Sequence, residues 1–287
     1  MQQINFQALE IFRTVAIEGS VSRAAEKLGR VQSNISTRIR QLEESIGKSL
    51  FIRKSRGLDL TADGRMLLAY AERFHLLSVE ATEALEADHP QGPFFIGAME
   101  STAAARLPSV LSRYHQSYPS VEVSLKTDTA GGLLDRLGRY EIDVAFLAEP
   151  VSDERFDTCP VFEEQLILIT PRTFGRLENW DELSGKTLIA FEAGCAYRRY
   201  LEQWQLEQGI APGNILSMSS YLAILSCVTA GTGYSVVPQS VLDIIKMAGE
   251  VQRYPLGEGY DAIKTLLTWR KEYRSSKLDR LLDILKE

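Results

Sequence analysis

Between Ser20 and Gly47 the chain reads SVSRAAEKLGRVQSNISTRIRQLEESIG, two short helical patterns parted by the break GRVQ. In the second pattern Ile35, Ile39, Leu42 and Ile46 recur at i, i+4, i+7 and i+11, which puts them in one stripe of a helix. That stripe must rest on a core, so the opposite face shows Gln32, Ser33, Ser36, Thr37 and Arg40. Upstream, Leu9, Phe12, Val15 and Ala16 mark a helix from Phe6 that ends at Gly19, and Ser20 is placed to cap a short helix over Arg23–Leu28. Two helices with a tight turn, and polar side chains at the start of the second, predict a helix-turn-helix. The major groove of DNA admits one α-helix, and Gln, Asn, Ser, Thr and Arg are the side chains that pair with base edges there.

The charge distribution agrees. The net charge is −6, yet residues 1–60 carry ten Lys and Arg against six Asp and Glu, a net of +4, and residues 61–287 carry 22 against 32, a net of −10. A basic head on an acidic body fits a polyanionic partner, double-stranded DNA. Leu50–Thr61, LFIRKSRGLDLT, alternates around KSRG and predicts a β-hairpin with Gly57 in its turn. Arg53, Lys54 and Arg56 would make it a wing on phosphates or in the minor groove. A long helix is expected from Ala62 to Asp88. Met66, Tyr70, Phe74 (or Arg73), Leu77, Ala81 and Ala84 form a seam with a spacing near 3.5, facing either a second copy of this helix or the chain's own domain. DHPQGP then stops it.

Beyond that linker, strand and helix patterns alternate for about 195 residues, which predicts open α/β sheets, two small ones rather than one. No run of about 18 apolar residues exists, and MQQINFQALEIF lacks a basic segment followed by an apolar one. The expectation is an unprocessed cytoplasmic chain with no membrane role. Cys159, Cys195 and Cys227 form no C-x-x-C pair, and His75, His89 and His115 are scattered, so neither metal ligands nor disulfides are expected. AGTGYS precedes a strand and lacks the third glycine of a nucleotide loop; G-x-S-x-G, H-E-x-x-H and Walker patterns are missing. No catalytic residues and no cofactor are expected. An enzyme or a cytoplasmic solute-binding module, the rival readings, would leave the basic head without a role.

The stretch Phe12–Gly64, FRTVAIEGSVSRAAEKLGRVQSNISTRIRQLEESIGKSLFIRKSRGLDLTADG, resembles the LysR-type transcriptional regulators. The resemblance lies in Ala24 and Ala25, in Ser36, in the run Leu42, Glu43, Gly47, Leu50, Phe51 and Arg53, and in Leu60, Thr61 and Gly64. It implies base readers at Gln32, Ser33, Ser36 and Thr37, with Arg38 near the backbone and Arg53 as the wing contact. Ser20, Asn34, Arg40, Lys54 and Arg56 complete the candidate DNA surface. Ser33-Asn34 stands where many members carry Pro. The later segments FFIGAMESTAAARLPSVLSRYHQSYPSVEV, RLGRYEIDVAFL and TAGTGYSVVP resemble the effector domain of the same family. GAMESTAA and CAYRR are similar to a branch linked to amine or amino-acid use.

The resemblance implies a winged helix-turn-helix over residues 1–61 and a dimerisation helix and hinge over 62–91. A periplasmic-binding-protein-like domain of two α/β subdomains follows over 92–287, the first about 92–161 and 268–287 and the second about 162–267. It further implies a homodimer or homotetramer that bends DNA, contacts RNA polymerase and responds to a small effector. In open α/β folds ligands sit beyond strand ends, at helix starts. Glu100, Ser101 and Thr102, then Asp128 and Thr129, then Gly194, Cys195 and Arg198, then Ser220 and Tyr221 hold such places. Hydroxyls with one or two arginines and carboxylates point to a small carboxylate, including amino-acid-like ones. Ser101 and Thr102 as plain helix caps, and Glu100 as a partner of the helix dipole, are the alternatives. Cys195 lines the pocket, packs inertly or senses oxidation from a helix start that favours thiolate.

Overall fold

The structure is a computed structural model and describes residues 4–54, 57–85, 90–245 and 250–287. The chain divides into two compact units, Met1–Leu85 and Glu86–Glu287. The first unit holds α1 (Phe6–Glu18), α2 (Val21–Lys27), α3 (Gln32–Ile46), β1 (Phe51–Lys54), β2 (Gly57–Leu60) and α4 (Ala62–Leu85). Gly19 ends α1 and Gly47 ends α3 in the left-handed conformation, at φ 60° and 71°, which a side chain would strain. Leu9, Phe12 and Val15 of α1, Ala24 and Ala25 of α2, Ile35, Ile39 and Leu42 of α3, Leu50 and Ala71 share one core. Arg13 ties α1 to α4 through its Nε–Glu72 Oε2 ion pair at 2.8 Å.

The residues that carried the resemblance have local physical reasons. Glu43 accepts the backbone N–H groups of Leu50 at 2.7 Å and Phe51 at 3.3 Å, fixing the entry to β1. Thr61 caps α4 by accepting Gly64 N–H at 2.9 Å, while Thr61 N–H donates to Leu50 O at 3.0 Å. A Cβ on Gly64 would collide with that same Leu50 carbonyl. The hairpin pairs Phe51 with Leu60, and Leu58 N–H donates to Gly19 O at 3.0 Å, so the wing is tied to the end of α1. Arg56 lies outside the described residues, as does the Glu86–Asp88 end of the expected long helix. For Arg53 and Lys54 the structure gives the strand backbone alone.

The second unit contains β3 (Gly92–Ala98), α5 (Glu100–Ala105), α6 (Leu107–Ser117), β4 (Val121–Thr127), α7 (Ala130–Gly138), β5 (Val144–Ala148) and β6 (Phe156–Glu164). It continues through β7 (Leu166–Pro171), β8 (Leu188–Phe191), α8 (Ala196–Glu207), β9 (Ile215–Met218), α9 (Tyr221–Thr229), β10 (Ser235–Pro238), α10 (Gln239–Ile244), β11 (Val251–Pro255), β12 (Ile263–Arg270) and α11 (Ser276–Lys286). One sheet runs β4-β3-β5-β12-β6, with β12 antiparallel to both neighbours. The other side has β10-β7-β11 and β8-β9, linked by a bridge from Leu188 to Tyr234. Between β3 and β4 the chain forms two helices rather than one, because Pro108 can only sit in the first turn of a new helix.

The chain passes between the two sheets twice, at Gln165 and between Pro255 and Ile263. The expected boundaries are 161/162 and 267/268. Ladder pairing keeps β6 in the first sheet through Glu164 and brings β12 into it from Ile263. Glu164, 2% exposed, accepts Arg106 Nε–H at 2.7 Å and the Ser240 hydroxyl at 2.7 Å, so a buried charge is met from both sides of the crossing. Among the described residues no helix is long and apolar enough to cross a membrane.

Candidate functional site

Two surfaces collect the chemistry. On α3, Gln32, Ser33, Asn34, Ser36, Thr37, Arg38 and Arg40 are exposed, while Ile35, Ile39 and Leu42 are buried. The polar face is therefore held outward by packing rather than by its own hydrogen bonds. Ser20 is half-buried and its hydroxyl accepts Arg23 N–H at 3.5 Å, so its described role is the cap of α2. Val31, the N-cap of α3, makes no side-chain cap and is 69% exposed.

The second surface is a cavity of about 220 Å³ in the second unit. The residue after β3 and the starts of α5, α7, α8 and α9 open onto it, supplying Met99, Glu100, Ser101, Thr127, Asp128, Thr129, Ala130, Phe191, Glu192, Cys195, Ala196, Tyr197, Ser219 and Tyr221. Asp128 is held by Arg136 Nε at 3.0 Å and by Thr129 N–H at 2.8 Å. Gly132 makes room for that carboxylate, since a Cβ there would strike it. Phe191 packs its ring 4.4 Å from that of Tyr221. Burial pushes the Glu100 carboxyl above its ordinary value, against a smaller pull from the Tyr221 backbone N–H. Burial likewise raises the Tyr197 and Tyr221 phenols. It raises the Cys195 thiol more than the neighbouring N–H groups of Arg198 and Tyr197 lower it.

Six of the ten expected cleft residues therefore meet: Glu100, Ser101, Asp128, Thr129, Cys195 and Tyr221. Four lie elsewhere. Thr102, 1% exposed, faces the interior one position round α5. Ser220 holds the N-cap position of α9 without a side-chain capping bond, and its neighbour Ser219 lines the cavity instead. Gly194, at φ 95°, and Arg198 line an adjoining groove of about 500 Å³. Arg198 is committed there to Glu202 Oε1 at 2.7 Å and to Phe191 O at 2.9 Å, so it offers no cation to the cavity. Met99, Thr127, Glu192 and Tyr197 line the cavity without having been expected there. Tyr197 belongs to the CAYRR segment, and only its burial against the cavity distinguishes it from Arg198.

Residues 6–65 match the bacterial regulatory helix-turn-helix protein, lysR family, and residues 87–287 match the LysR substrate binding domain. The chain belongs to the LysR family of transcriptional regulators. It is 37% identical to the uncharacterized HTH-type transcriptional regulator YusT of Bacillus subtilis over 277 residues, covering 96% of this chain and 93% of that one. It is 33% identical to the HTH-type transcriptional regulator GltR of the same organism, covering 94% and 91%. Among solved structures, full-length CbnR complexed with its target DNA aligns with a TM-score of 0.69 at 23% identity over 99% of both chains. A full-length OxyR variant from Pseudomonas aeruginosa aligns with a TM-score of 0.70 at 23% identity, covering 99% and 94%. These two likenesses describe the fold. The LysR-family chain is thus a DNA-binding transcriptional regulator with an effector-binding domain, not an enzyme.

Proposed function

We propose that this LysR-family regulator reads DNA with the exposed face of α3 and adjusts that binding to a small amino-acid-like carboxylate held in the 220 Å³ cavity. The observation that carries the DNA reading is the exposure pattern of α3, whose polar residues at its start all face out while Ile35, Ile39 and Leu42 face in. Gln32, Ser33, Asn34, Ser36 and Thr37 then meet base edges, Arg38 and Arg40 meet phosphates, and the β1–β2 wing adds Arg53, Lys54 and Arg56. The ligand's carboxylate goes to the starts of α7, α8 and α9, where backbone N–H groups and the helix dipoles favour an anion. Oxidation of Cys195 is the weaker reading, since burial keeps its thiol protonated. Two copies join along the Met66–Leu77 seam of α4, pairs associate further, and ligand binding changes the DNA geometry presented to RNA polymerase.

Selection of a randomised duplex library on the full-length protein yields the operator and tests the first half. Binding to it should weaken steeply with salt. Arg53→Ala should weaken all sequences alike, and Gln32→Ala or Ser36→Ala should relax base preference more than affinity. Unchanged binding by Arg53→Ala would sink the wing assignment. Fluorescence anisotropy on that operator, with and without a bacterial small-molecule extract, tests effector control. An extract that leaves the DNA affinity untouched removes the effector from the cavity.

A further inference from the structure

Three polar atoms are buried together in the wall of the cavity: Glu100 Oε2, which has no protein partner, and the hydroxyls of Ser101 and Tyr197, whose contacts with each other, with Thr265 and with Tyr221 are too poorly aligned to satisfy them. Ser101 and Tyr197 are each 3% exposed. A buried polar group without a well-aligned partner is destabilising. Three of them in one cavity wall call for a ligand that supplies their hydrogen bonds.

The charge of the lining says which ligand group does so. Glu100, Asp128 and Glu192 are its ionisable carboxyls, and among the described residues no Lys, Arg or His lines the cavity. Asp128 already holds Arg136, whose Nη1 also binds Glu141 at 2.7 Å, so that carboxylate is answered from behind. Glu100 receives a bond from the Tyr221 backbone N–H, and burial pushes its carboxyl up. A carboxylate placed against this wall would meet carboxyl oxygens. An ammonium brings three donors and a charge opposite to that of Glu100, and hydroxyls accept from it.

We propose that the cavity takes a ligand bearing a protonated amine, with Glu100, Ser101 and Tyr197 receiving its N–H donors. The proposal rests on the reading of this cavity as the effector site and adds the end of the molecule that goes deepest. It also accounts for Arg198 facing away. With the ammonium buried at Glu100, the opposite end of the ligand lies toward the helix starts and needs no arginine.

The test uses the full-length protein and three matched sets of compounds: the protein amino acids, the carboxylic acids lacking their amine, and the amines lacking their carboxylate. Stabilisation against heat reports binding to the folded state, and titration gives the Kd. Amine-bearing members should raise the melting temperature of the wild type, and their amine-free counterparts should not. Glu100→Gln, which keeps shape and removes charge, should weaken the best amine by roughly tenfold or more. Tyr197→Phe keeps the ring and should weaken it by a smaller factor, and it carries the test if Glu100→Gln does not melt cooperatively. Amine-free acids binding as tightly as their partners would overturn the proposal. So would full affinity in both variants, or no stabilisation by any amine in the three sets. The effector reading is judged separately by the operator assay with extract, which does not depend on the ligand's class.

Discussion

Val31 occupies the N-cap of α3 without a side chain that can cap, although Asn5, Ser20, Thr129 and Ser275 all cap their helices through side-chain oxygens. Val31→Ser should therefore stabilise the first unit by about 1 kcal/mol, read as a shift of its denaturation midpoint. No shift would mean that water already satisfies the first turn of α3. Glu100 gives a prediction with a sign. Its folded-state pKa is raised, so the stability it contributes is fully present below the ordinary carboxylate range and is lost as pH rises through the folded value. Melting of the ligand-free protein should fall over that interval in the wild type and fall less in Glu100→Gln. Parallel pH profiles would show that Glu100 is more solvated than its surroundings indicate. At this scale residue types are easier to read from the chain than directions. Glu100 and Ser101 are legible because a strand ends just before them. The outward turn of Arg198 is not, because it depends on Glu202 and Phe191 O, which only the folded chain brings to it.

Elements are most legible where one side faces a core. The stripe Ile35, Ile39 and Leu42 marks α3, and Gly19 and Gly47 mark the ends of α1 and α3. β6 is hidden by its composition: FDTCPVFEE holds acidic residues and Pro160, and a central strand would not tolerate that proline. It is the edge strand of its sheet, and its register against β12 shifts between Thr265 and Leu266, opposite Phe162 and Pro160. The α5–α6 break is readable in principle from Pro108, but apolar periodicity continues across it. The start of α4 offers a sharp test of how the wing is held. Gly64→Ala should cost about 1–3 kcal/mol, since its methyl group meets the Leu50 carbonyl that Thr61 N–H also needs. Circular dichroism melting checks the cost, and operator affinity should fall with it. A neutral result would mean that β1 can shift without loss.

For the whole molecule, Met66, Tyr70, Phe74 and Leu77 remain 59%, 52%, 50% and 43% exposed along one side of α4. Apolar side chains at that spacing suit packing against a second copy of the helix, the contact proposed above. Tyr70→Glu with Phe74→Glu should therefore shift light-scattering mass from an oligomer toward a single chain and weaken operator binding by roughly tenfold or more, because two linked heads bind together. An unchanged mass would put the contact elsewhere. The double crossing between the sheets has a further consequence for the making of the protein. β12, residues 263–270, lies between β5 and β6, so the first sheet stays open until the ribosome has passed nearly the whole message. The unit ending at Leu85 needs nothing from later residues for its own core. At about 5–20 residues per second, a nascent chain spends on the order of ten seconds or more with a finished DNA-reading head and an unfinished sensor. For that interval the helix-turn-helix core is already closed while the sheet of the effector-binding domain still lacks an interior strand.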